Sequence, residues 1–79
     1  MNFRDVHERL AEHIRRKVRN GELTERGLAR RAGISQPHLH NVLKRKRVFS
    51  MESADLVLRE LGLSVLDLLR DPAERGPYG

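Results

Sequence analysis

Glu25-Arg26-Gly27-Leu28-Ala29-Arg30-Arg31-Ala32-Gly33-Ile34-Ser35-Gln36-Pro37-His38-Leu39-His40-Asn41-Val42-Leu43-Lys44 reads as a short helix, a tight turn at Gly33 and a second short helix. Ala29 stands four residues before the glycine, where two helices crossing steeply leave room for little more than a methyl group. Leu28, Ala32, Ile34, Leu39 and Val42 supply the apolar positions that hold the pair on one core. The second helix then faces outward with Gln36, His38, His40, Asn41 and Lys44. Small hydrogen-bonding side chains on a projecting helix are what contact with base edges in a DNA major groove requires.

Helical spacing continues on both sides of this stretch. Phe3, Val6, Leu10, Ile14 and Val18 recur with charges between them, and Asn20-Gly21 ends that first helix. Thr24 caps the second helix, with Glu25 in its first turn complementing the dipole. The start of the third helix has two registers. Ser35 is a good N-cap, but Pro37 disfavours helical geometry at Gln36; alternatively Gln36 caps and Pro37 takes the first helical position. Ser50 opens a fourth helix carrying Met51, Ala54, Val57, Leu58 and Leu61, which ends at Gly62. Ser64-Val65-Leu66-Asp67 resembles a capping box with Asp in place of Glu and opens a fifth helix through Leu69 or Arg70. The expectation is an all-α domain of five helices over residues 1–70, followed by a breaker-rich, flexible tail at 71–79. No strand pattern or internal repeat is present.

Seventy-nine residues make one small domain without cysteine, so disulfides and thiolate metal sites are excluded. No apolar run approaches the ~20 residues of a membrane span, and the N-terminus lacks a secretory leader. A cytoplasmic protein is expected. The net charge of +5 is unevenly placed. Residues 24–47 carry seven Lys/Arg against one acid, whereas residues 48–79 carry three against six. Concentration of positive charge around the outward helix favours a polyanionic partner.

The ordered set Leu23-Thr24, Leu28-Ala29, Gly33-Ile34-Ser35-Gln36, Leu39 with Val42, and Leu61-Gly62-Leu63-Ser64 resembles the Cro/repressor-type helix-turn-helix family, the XRE family. The resemblance spans about Val6 to Leu69 without a gap from Thr24 onward. It implies a lambda-repressor-like five-helix DNA-binding domain in which Gln36, Pro37, His38 and Asn41 face the groove. Pro37, lacking an amide hydrogen, could offer only an apolar contact, for example to a thymine methyl. Four positions depart from the pattern. Glu25 stands where a phosphate-touching glutamine is common, and Gly27 replaces a better helix former at a cost of about 1 kcal/mol. Leu43 replaces a glutamate that pairs with a first-helix arginine, and Arg45 replaces a turn glycine, so a turn of different shape is expected there.

Each signal has a plainer reading. Lys44-Arg45-Lys46-Arg47 would ordinarily be a solvated loop; directly after the outward helix it lies where a phosphate backbone should pass. Arg26, Arg30 and Arg31 on the second helix are further phosphate candidates, with Arg26 and Arg30 preferred. His38 either meets a base or phosphate or is a surface histidine. His38 and His40 diverge on a helix, as do His7 and His13, so neither pair holds a metal. Ser35, Ser50 and Ser64 all precede helices and read as caps, not nucleophiles. No cofactor or enzymatic activity is expected.

These readings converge on sequence-specific recognition of double-stranded DNA by a repressor-like transcriptional regulator bound to a palindromic operator as a homodimer. Leu56, Val65, Leu66 and Leu68 are expected to form its apolar interface. The alternative is an antitoxin or other protein-interaction module, with a toxin as partner. A third possibility is non-specific nucleic-acid packing.

Overall fold

Five N-caps set the element boundaries in the computed structural model, which describes residues 2–70. Asn2, Thr24, Ser35, Ser50 and Ser64 each accept a backbone N–H three residues on through their side-chain oxygen. They open α1 (Phe3–Arg19), α2 (Glu25–Ala32), α3 (Gln36–Leu43), α4 (Met51–Leu61) and α5 (Val65–Leu69). No strand occurs among the described residues. Of the two registers open for α3, the chain adopts the one capped by Ser35, whose Oγ accepts from His38 N–H at 3.2 Å. Gln36 and Pro37 both fall in the first turn, where amide hydrogens have no intrahelical acceptor and proline removes nothing.

Four of the five helices also end alike. In α1, α2 and α4 a glycine in the left-handed region, Gly21, Gly33 or Gly62, lets the next amide reach back to the carbonyl five residues earlier. Ile34 N–H thus donates to Ala29 O at 3.0 Å, and Leu63 N–H to Leu58 O at 2.9 Å. The same arrangement ends α3, where Lys46 N–H donates to Asn41 O at 2.8 Å and Arg45 takes the glycine's place at φ +64°. The expected change in turn shape is therefore not seen. Arginine adopts the glycine conformation instead, at a backbone cost of about 1–2 kcal/mol.

Helix α1 packs against α3 and α5, while α2 packs against α3 and α4. Between them lie Leu10, Ala11 and Ile14 of α1, Leu28, Ala29 and Ala32 of α2, Leu39, Val42 and Leu43 of α3, Ala54 and Val57 of α4, Leu68 of α5, and Phe49 from the α3–α4 connection. Leu43 occupies the interior, so no carboxylate waits there for a first-helix arginine. Arg15 of α1 donates its Nε to the Leu43 carbonyl at 2.8 Å and meets Glu12 at 3.2 Å. One expectation is corrected: Leu68, assigned to a surface patch, is 1% exposed and belongs to the core. No helix among the described residues is long and apolar enough to cross a membrane.

Candidate nucleic-acid interface

Helix α3 is eight residues long, so its axis spans about 12 Å. Leu39, Val42 and Leu43 face inward, and this inward stripe fixes which residues point away. Gln36, Pro37 and His40 are exposed; His38 and Asn41 are half-buried. The Asn41 carbonyl is occupied, accepting from Lys46 and Arg47 N–H at 2.8 and 3.3 Å, which folds the basic turn back onto the end of α3. The His38 ring lies 6.0 Å from that of Phe49, so one side of this imidazole is spent on packing.

The cations around α3 divide into engaged and unengaged. Arg45 Nη2 reaches Glu8 of α1 at 2.9 Å, and Arg31 Nε reaches Glu60 of α4 at 2.9 Å. Arg26, Arg30, Lys44, Lys46 and Arg47 make no ion pair among the described residues, and all are exposed. Arg26 and Arg30, four apart, share one face of α2. Lys44 shares a crevice of about 220 Å³ with Arg15, Val18, Arg19, Glu25 and Leu43. Two of its cations, Arg15 and Arg19, already meet Glu12. Arg19 was not singled out from the sequence; its closeness to Lys44 arises only when α1 and α3 pack together.

Glu25 does not stand as a bare carboxylate at the start of α2. Its Oε1 lies 3.0 Å from Nδ1 of His40, joining the start of α2 to the exposed side of α3. Gly27 has a local reason as well. A Cβ there would come 3.0 Å from Thr24 Oγ1, the atom that accepts Gly27 N–H and caps the helix.

His7, which sequence reading left without a role, is buried. Its Nε2 accepts the buried N–H of Phe49 at 2.9 Å, a bond spanning 42 residues. Burial, assisted by the charge of Arg15, pushes its pKa below the ordinary histidine value against an opposing pull from Glu8. Rings continue on either side: Phe3 lies 5.9 Å from His7, His7 lies 5.4 Å from Phe49, and Phe49 meets His38. No group of His, Asp and Glu among the described residues is arranged to hold a metal ion.

The residues expected to form an apolar interface differ in exposure. Leu66 and Val65 are 58% and 44% exposed, Leu56 is half-buried, and Leu68 is interior. Val65 borders a groove of about 230 Å³ with Phe3, Val6, Leu10, Met51 and Leu58. Comparison with protein-family models, with curated proteins and with solved structures finds no match for this chain.

Proposed function

We propose that the chain is a sequence-specific double-stranded DNA-binding protein acting as a transcriptional regulator, with α2, the turn and α3 as its helix-turn-helix. The observation that carries this reading is the pairing of exposed Gln36 and Pro37 and half-buried His38 and Asn41 on α3 with the exposed cations Lys44, Lys46 and Arg47 directly after it, none of them ion-paired among the described residues. An α-helix with its side chains is about 10–12 Å across, which suits a major groove about 12 Å wide. Gln36 and Asn41 carry amides that can donate to and accept from one base together, the pairing suited to adenine. Lys44, Lys46, Arg47, Arg26 and Arg30 supply sequence-independent attraction and fix orientation on the phosphates. Arg45 contributes less directly, because its guanidinium already meets Glu8.

Glu25 belongs to the same account. A carboxylate at a helix start facing phosphate would repel it; here Glu25 Oε1 lies 3.0 Å from His40 Nδ1, which as an N–H would donate to it. The site would be read by a homodimer on a palindromic operator in the cytoplasm. An antitoxin reading uses the same DNA-binding face and differs only in adding a toxin partner.

Mutation should separate the two kinds of contact. Asn41→Ala is expected to relax preference at one or two base positions, losing about 1–3 kcal/mol of discrimination. Lys46→Ala should weaken all sequences alike and make the dependence of log K on log salt shallower by about one unit. Both follow from binding isotherms on a selected duplex and its single-base variants. An equal loss for every sequence in Asn41→Ala would remove that residue from the base-reading set.

A further inference from the structure

The connection from α3 to α4 is pinned to α1 at two adjacent residues. Arg45 of the basic turn meets Glu8 at 2.9 Å, and Phe49 N–H meets His7 Nε2 at 2.9 Å. The first contact is exposed and of a kind that contributes little. The second is buried, with the imidazole set between Phe3 and Phe49 and bordering the α1–α4–α5 groove. Phe49 in turn supports the His38 ring on α3. Backbone bonds to Asn41 O fold Lys46 and Arg47 onto the end of α3, so what this buried acceptor atom holds is the Phe49 end of the connection and, through Phe49, the His38 ring.

We infer that His7 is a positioning residue for this surface: its unprotonated Nε2 latches the Phe49 amide, and protonation of that atom releases the Phe49 end of the basic turn and the His38 support. Neutral imidazole can accept at Nε2 only with its proton on Nδ1. A proton added at Nε2 turns the acceptor into a donor facing another donor and leaves a positive charge in an apolar setting. The closed latch thus disfavours protonation, in keeping with the direction in which burial moves this histidine.

The charged surroundings work in both directions. On α1, Glu8 favours the imidazolium and Arg15 disfavours it. Arg45 of the turn partly neutralises Glu8. From α4, Asp55 borders the same groove but is paired with Arg59 at 3.1 Å. From α3 the titratable neighbour is His38, one ring further away across Phe49. Helix α5 brings only Val65 to this groove.

The consequence for nucleic acid rests on the function proposed above, but the latch does not, so it is tested on the free full-length protein. Amide hydrogen exchange and the imidazole resonances would be followed by NMR from pH 7.5 to 4.5. The His7 ring should titrate below about 6.5. Below that value the Phe49 protection factor, corrected for intrinsic exchange, should fall about tenfold per pH unit until the closed form itself protonates. Resonances of residues 44–48 and His38 should move in the same step, while Leu28 and Val57 amides stay protected. His7→Gln keeps a neutral acceptor, so Phe49 should remain protected and the acid step should vanish. Three results overturn the inference: Phe49 protection that persists through the His7 titration, simultaneous loss at Phe49 and Val57, or a His7→Gln protein that retains the step. Should His7→Gln fail to fold, the unsubstituted protein decides between the first two. None of these outcomes bears on whether duplex DNA is bound, which is measured separately.

Discussion

Arg45 shows most plainly how a single residue can work against local preference. Three of the four helix ends with this hydrogen-bond pattern use glycine at the left-handed position; the one beside the candidate interface uses arginine. Side-chain crowding there costs about 1–2 kcal/mol, and the exposed ion pair with Glu8 returns at most about 1 kcal/mol. Arg45→Gly should therefore leave stability unchanged or raise it by up to about 2 kcal/mol, read from urea unfolding. A loss larger than about 1 kcal/mol would mean that the Glu8 contact holds the turn more strongly than an exposed pair can. The same residue marks a limit of sequence reading. Its departure from the glycine pattern was visible, but whether the backbone or the residue would yield was decided by packing. Phe49 was harder still. It lies alone between exposed Val48 and the Ser50 cap, so no periodicity flagged it as core.

At the scale of elements, the helices were legible because their ends are chemically marked. Apart from Asn2, the capping side chains and the left-handed glycines fall where the sequence suggested, while the start of α3 and the end of α5 each allowed two answers. Helix α5 was the least legible. Five residues give too few turns for an apolar stripe to choose a face, so Leu68 was placed outside when it lies within. What holds so short a helix at its start is the capping box. Ser64 N–H and Oγ donate to Asp67 Oδ2 at 2.8 and 3.1 Å, while Asp67 N–H returns to Ser64 Oγ at 3.3 Å. These bonds, the backbone one foremost, hold the Asp67 carboxyl below the usual aspartate range. A folded-state value below the unfolded one means a stabilising contribution that is full above about pH 4 and disappears as pH falls through the folded value. The Ser64 amide resonance should follow a carboxyl titration below the ordinary aspartate value of about 3.9, and Asp67→Asn should abolish it. A titration at or above that value would contradict the box as the holding device.

For the whole molecule, the proposed function requires that a domain this small obtain selectivity. One reading helix touches only a few base pairs, and pairing on a palindrome doubles the contact with half-sites about 34 Å apart. With Leu68 interior, the large apolar residues exposed among the described ones are Phe3, Val48, Met51, Val65 and Leu66, of which Phe3, Met51 and Val65 border one groove. Met51→Glu with Leu66→Glu should yield a folded monomer by sedimentation, with tight operator binding lost and weak half-site binding kept. An unsubstituted protein that is already monomeric at high micromolar concentration would contradict pairing through this face.

The candidate site was legible to a different depth from the fold. Exposure of Gln36 and Pro37 followed from the inward stripe of α3, because helical spacing leaves those positions no other place. The internal engagement of Arg45, the Glu25–His40 pair and the His7–Phe49 bond could not be read. Each joins residues 15 to 42 positions apart, and nothing in a linear pattern announces such a meeting.

The central claim is that α3 reads base sequence while the cations around it hold phosphate. Selection from a random duplex pool, repeated across a salt series, tests both halves together. A recurrent palindromic motif should emerge, and if the dimer neutralises ~6 phosphates, log K should fall with log salt at a slope of about −5. Salt-sensitive binding that enriches no motif would make the protein a non-specific nucleic-acid packer, and no binding at low salt would contradict the account outright.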